Sequence, residues 1–128
     1  MEKRRILIVD DDAGIRLTIR RILESSRSDD FEIAEAASGV ECLMATEKQG
    51  PFDLILLDVE MPEMDGFSVC KAIRNVDPAV PIVFVTSHVD LEHRVKGREA
   101  GGDSFLAKPV RPGALMSLVG LFSSSSRR

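Results

Sequence analysis

Apolar residues along this chain gather in short unbroken runs at 6–9, 54–57 and 82–85, with a weaker one at 105–107. Runs of this length, rich in Val, Ile and Leu, suit strands covered on both faces, as in a parallel sheet flanked by helices. The segment 31–36 instead alternates, with Phe31 and Ile33 set against Glu32 and Glu35, and reads as an edge strand. Between the runs the spacing turns helical: Ile15, Ile19, Ile22 and Leu23, then Val40, Leu43 and Met44, then Phe67, Val69, Cys70 and Ile73. Two further helices are predicted over 91–100 and 114–122. The first of these is highly charged and carries Gly97, at a cost of about 1 kcal/mol relative to Ala.

The pattern is thus strand then helix, five times over. Right-handed crossovers make it an α/β chain wound as a three-layer α/β/α sandwich, a doubly wound five-stranded parallel sheet of flavodoxin-like order 2-1-3-4-5. The Ser-rich segment at 123–128 has no apolar period and reads as a flexible tail or the start of a linker. One domain is expected over 4–122.

With 128 residues, 44% of them hydrophobic, the chain has material for one core without staples. A net charge of −4 argues against nucleic-acid binding through a broad basic surface and favours a protein or small-ligand partner. No apolar run approaches the roughly 18 residues needed to span a bilayer, and only four apolar residues follow the charged start, so no membrane segment and a cytoplasmic protein are predicted. Cys42 and Cys70 form no CxxC pair and fall in predicted helices among apolar neighbours, so they read as small buried thiols.

In an open α/β sheet the ligand site lies beyond the carboxyl ends of the strands, at the point where connections diverge to opposite faces. For this strand order that point falls between strands 1 and 3, which end in Asp10-Asp11-Asp12 and Asp58. Asp12 is placed to cap the following helix. Asp10, Asp11 and Asp58 converge, and three carboxylates repel one another by about 1 kcal/mol per pair at 4 Å in water and about 4 at an effective dielectric of 20. A hard divalent cation relieves that repulsion; Mg²⁺ characteristically takes one or two carboxylates, several waters and a phosphate oxygen. Thr86 at the end of strand 4 and Lys108 at the end of strand 5 then make sense as a hydroxyl donor and a fixed positive charge facing a phosphoryl group. Lys108 precedes Pro109, which fixes the turn.

The series Asp10-Asp11, Asp58, Met61-Pro62, Asp65-Gly66, Thr86-Ser87 and Lys108-Pro109 closely resembles the receiver domains of bacterial response regulators, over about residues 4–122. The resemblance implies that Asp58 takes a phosphoryl group from a histidine kinase or histidine phosphotransfer protein in a Mg²⁺-dependent phosphorelay. Such a domain catalyses only its own phosphorylation and dephosphorylation. It further implies that Asp10, Asp11, Asp58 and the Glu60 main-chain carbonyl serve the metal, and that Thr86 and Lys108 hold the phosphoryl oxygens. In the family the threonine moves toward the phosphoryl group and an aromatic on strand 5, here Phe105, turns inward. This switches the face of helix 4, strand 5 and helix 5 for a downstream protein target, as a monomer or as a phosphorylation-dependent dimer. Gly97 marks the softer part of that face, and Arg94, Lys96 and Arg98 are either a partner surface or an ordinary solvated one. Glu60 and His88, the second residues after the acceptor and the threonine, tune phosphate lifetime in the family. His88 on its own suggests an exposed loop histidine, with metal ligand or general base as the other roles open to it. Where receivers mostly have Ala-Gly-Ala before strand 5, this chain has Ala100-Gly101-Gly102.

Three rivals share parts of this pattern. A haloacid-dehalogenase-type phosphohydrolase would use Asp10 as nucleophile, but the chain is short and no Thr or Val stands two residues after Asp12. A flavodoxin lacks support because no Gly/Ser/Thr-rich loop follows strand 1 and there is no Trp or Tyr to stack on a flavin. A receiver that binds partners without phosphorylation is disfavoured by the full set of acceptor residues.

Overall fold

The computed structural model describes residues 3–27 and 30–122; the predicted tail at 123–128 lies outside them. Strands β1 (Arg4–Val9), β2 (Phe31–Ala36), β3 (Leu54–Asp58), β4 (Ile82–Thr86) and β5 (Ser104–Ala107) alternate with helices α1 (Ala13–Arg27), α2 (Gly39–Gln49), α3 (Gly66–Val76), α4 (Leu91–Ala100) and α5 (Pro112–Phe122). The strands pair in parallel in the order β2-β1-β3-β4-β5, as the apolar pattern predicts, with β2 at one edge.

The unbroken apolar runs are explained by the two faces they serve. Leu7, Val9, Ile55 and Leu57 point into one core with Cys42, Val69, Cys70 and Ile73 from α2 and α3. Their strand neighbours Ile6, Ile8, Leu54 and Leu56 point into the other with Ile19 and Leu23 of α1 and Leu115 and Val119 of α5. Each such side chain contributes roughly 1.5–3 kcal/mol by leaving water. Both cysteines are buried free thiols, as expected; burial pushes Cys42 up to about 12 and Cys70 up to about 11, so both stay protonated and inert.

Two details differ from the sequence reading. Helix α5 starts at Pro112 rather than at residue 114, because proline's fixed φ and missing N–H suit the first helical position even though the apolar stripe begins later. Gly97 is not merely a weak point of α4: a Cβ there would lie 2.5 Å from Phe105 Cζ and 2.9 Å from Phe84 Cε2. The glycine lets the charged helix lie directly on the Phe84 and Phe105 rings, whose centroids are 5.2 Å apart.

Candidate functional site

At the carboxyl end of the sheet, β1 stops just before Asp10 and β3 ends on Asp58, and both residues are only 2% exposed. Asp11 remains exposed beside them, and one carboxylate oxygen from each of Asp10, Asp11 and Asp58 lies within 4.8 Å of the others. Lys108, the residue after β5, reaches across to place Nζ 3.0 Å from Asp10 Oδ2 and 3.1 Å from Asp58 Oδ1. The Lys108–Pro109 peptide bond is cis.

Local hydrogen bonds fix each acid. Asp10 Oδ1 accepts the Asp12 N–H at 2.9 Å, and Arg16 donates to the Asp10 carbonyl while pairing with Glu35 at 2.9 Å. Asp58 Oδ1 accepts a long 3.4 Å hydrogen bond from the Glu60 N–H in addition to Lys108. Asp12 Oδ1 accepts from the Gly14 and Ile15 N–H groups at 2.8 and 3.3 Å, the expected cap of α1. The turn after β3 closes through the Gly66 N–H to the Val59 carbonyl at 2.7 Å. Only glycine fits at 66, since a Cβ would stand 2.3 Å from the Asp58 carbonyl oxygen.

The electrostatics are those of an overcrowded acid pocket. Burial, then the Asp10 charge, push the Asp58 carboxyl up to about 6 against the opposing pull of Lys108 and the Glu60 N–H. Burial disfavours the Lys108 charge, yet its contacts to Asp10 and Asp58 outweigh that and raise its pKa above the ordinary lysine value. Asp10 Oδ2 has the Lys108 ammonium 3.0 Å away as an ion-pair partner, without a well-aligned hydrogen bond. One ammonium shared between two buried carboxylates, with a third beside them, leaves surplus negative charge that costs free energy unless something else neutralises it. An all-oxygen donor set with such a charge surplus suits a hard divalent cation, and Mg²⁺ fits it.

The other predicted residues lie around this pocket. Thr86 is fully buried at the end of β4, where its Oγ1 accepts the His88 N–H at 3.0 Å. Phe105 is half-buried in β5 against Phe84. The Glu60 carboxylate turns to His88, 3.0 Å from Nε2. His88 also stacks on His93, with ring centroids 4.9 Å apart and planes 16° apart. The sequence reading left His88 without a histidine neighbour; the first turn of α4 supplies one. The only legible signal for His93 was Asp90 three residues before it at a helix start. Beyond the pocket, Leu91, Val95 and Phe105 line a groove of about 350 Å³ between α4 and β5.

The model described as the response regulator receiver domain matches residues 6–120. The transcriptional regulatory protein PrrA of Mycobacterium tuberculosis is 40% identical over 115 residues, which span 90% of this chain and 48% of PrrA. The probable transcriptional regulator ycf27 of Porphyridium aerugineum is 38% identical over 120 residues, 93% of this chain and 48% of its own. The chain thus spans about half the length of the curated relatives it matches. Among solved structures, Vibrio cholerae chemotaxis protein CheY4 superposes with a TM-score of 0.86 at 30% identity, over 94% of this chain and 99% of that one. A CheY-like receiver domain protein from Methanospirillum hungatei gives 0.86 at 32% identity, over 95% and 94%. Among the described residues no helix is long and apolar enough to cross a membrane.

Proposed function

The chain belongs to the response regulator receiver domain family of two-component signalling, and we propose that within it Asp58 is the phosphoryl acceptor, with Mg²⁺ as cofactor and a histidine kinase or histidine phosphotransfer protein as donor. The supporting observation is the cluster of buried Asp10 and Asp58 with exposed Asp11, in which one Lys108 ammonium is shared by the two buried carboxylates. Asp10, Asp11, Asp58 and the Glu60 carbonyl would hold the metal. Bound there, Mg²⁺ supplies charge neutralisation for the carboxylates and the incoming phosphoryl oxygens.

In the proposed step an Asp58 carboxylate oxygen forms a bond to phosphorus as the bond from phosphorus to the donor imidazole nitrogen breaks, and the electron pair stays on that nitrogen. Lys108 is already seated on Asp58 Oδ1, so a small shift carries its ammonium to a phosphoryl oxygen. Thr86 accepts from the His88 N–H and keeps its own O–H to donate to the phosphoryl group. Hydrolysis by water later returns the carboxylate and inorganic phosphate. With its oxygen esterified, Asp58 passes Lys108 to the negatively charged phosphoryl group, and the loop bearing Thr86 and the ring of Phe105 re-set the α4, β5 and α5 face for a protein target. The transcriptional roles in the relatives' names are theirs; for the residues here a protein partner is the reading that a net charge of −4 supports.

Treatment of the full chain with acetyl phosphate and Mg²⁺, followed by peptide mapping, tests the assignment. The label is expected on Asp58, absent from Asp58→Asn, and in Asp10→Asn still on Asp58 but at lower extent because the metal is held less well. A label on Asp10 would overturn it in favour of a haloacid-dehalogenase-like nucleophile.

A further inference from the structure

The loop after β4 gathers a second set of donors, different in kind from the acidic pocket. His93 Nδ1 lies 2.8 and 3.0 Å from the two carboxylate oxygens of Asp90, and His88 is stacked against His93. One ligand atom from each of His88, Asp90 and His93 falls within 4.8 Å of the others. The backbone imposes this arrangement. Asp90 is the N-cap of α4 and accepts the His93 N–H at 3.0 Å; His88 is tied by its own N–H to Thr86 at the strand end.

We propose that His88, Asp90 and His93 form a binding site for a borderline divalent transition-metal ion of the Zn²⁺ class, with Glu60 as a positioning residue for His88. Two imidazoles and a carboxylate suit Zn²⁺, Ni²⁺ or Cu²⁺, whereas Mg²⁺ prefers oxygen ligands throughout. Zn–N bonds of about 2.0–2.1 Å place tetrahedral donors roughly 3.4 Å apart, so donors lying within 4.8 Å of one another need to move by up to about 1.4 Å, with the His88 ring turning out of its stack so that both lone pairs converge. The side chains free to do so are those of His88, 45% exposed, and Asp90, 56% exposed. His93 is the anchor, its ring 28% exposed with the Phe67 ring 6.4 Å away. The short contact between His93 Nδ1 and Asp90 marks where the ion would replace a shared proton. Glu60, accepting from His88 Nε2–H, would leave Nδ1 as the free lone pair, the carboxylate–histidine–metal arrangement that orients ligating imidazoles. With three protein donors, one coordination position stays open for water.

The test titrates the full chain with Co²⁺ by visible absorbance and with Zn²⁺ by calorimetry, in excess Mg²⁺ so that the acidic pocket is not the reporter. One equivalent of each ion is expected to bind, with the absorption bands of four-coordinate cobalt. His88→Ala and His93→Ala should each weaken binding by about a hundredfold and Glu60→Gln by about tenfold, with circular dichroism unchanged. Asp58→Asn should bind as the parent chain does. Absence of binding by the parent chain, binding unaffected by either histidine change, or binding lost in Asp58→Asn would each overturn the proposal.

Discussion

At the amino end of β3, the buried Asp53 accepts the Arg5 N–H at 2.7 Å while its own N–H reaches the Arg5 carbonyl at 2.7 Å. At the other end of the same strand, the equally buried Asp58 faces Asp10, Asp11 and Lys108. The amino end repeats its solution at β4 and β5. There Asp103 accepts the Ile82 N–H at 2.9 Å and pairs with Arg74 at 3.1 Å, and Arg74 also donates to the carbonyls of Gly101, Asp77 and Val80. Carboxylates matched to main-chain donors stitch strands and loops together. Carboxylates placed against one another, with one lysine shared between two of them, spend stability to create a place for a ligand. Position alone does not decide which is which, since Asp12 sits at the carboxyl end and is a helix cap.

The sharpest way to break the contrast is to remove one aspartate from each end. Asp58→Asn should abolish phosphoryl labelling altogether and keep the fold, as read by acetyl phosphate and circular dichroism. Asp53→Ala should keep the label and lower unfolding free energy by about 2–3 kcal/mol, the cost of a buried donor left without its acceptor. Loss of labelling in Asp53→Ala with stability intact would erase the distinction. Arg74→Ala should cost about 2–4 kcal/mol in urea unfolding, because several carbonyls lose a charged donor at once, again with labelling retained.

Acidity sharpens the comparison from the other side. The Asp58 carboxyl rises to about 6 from an ordinary 3.8, so between those values the folded chain holds a proton that the unfolded chain has released. The stability attached to that proton is present below about 4 and is lost as the pH rises through about 6. In cation-free buffer Asp58→Asn should therefore be more stable than the parent chain at pH 7.5, by about 1–2 kcal/mol after discounting for solvent screening, and the two should converge near pH 4. A destabilised Asp58→Asn at pH 7.5 would make Asp58 a structural acid like Asp53. The smallest effect belongs to Asp12→Ala, about 1 kcal/mol for the lost cap of α1, with labelling unchanged.

How much of this was legible depends on whether a feature is local. The unbroken apolar runs announced strands covered on both faces, because alternate residues such as Leu7 and Ile8 feed opposite cores. Asp10, Asp58, Thr86 and Lys108 were readable as strand ends, and the sheet order gathers strand ends at one rim. The close approach of α4 to Phe105 was not readable, since Gly97 in a charged helix looks like a simple loss of propensity until the rings beneath it are seen. Nor was the Glu60, His88 and His93 cluster, because no period links residue 60 to the loop after β4 and the stacking depends on how that loop meets the first turn of α4. The paired roles of Arg5 and Asp53 were hidden for the same reason: strand register matched them, and nothing local did.

The central claim is that the rim's surplus negative charge is held for a cation, and the most direct measurement is the unfolding free energy as Mg²⁺ is raised. A ligand at a hundredfold over its dissociation constant adds about 2.7 kcal/mol to the state that binds it. The account predicts a saturable gain of that order in the parent chain and in Asp53→Ala, and a much smaller one in Asp10→Asn and Asp58→Asn. Equal gains in all four proteins, or none in the parent chain, would contradict it.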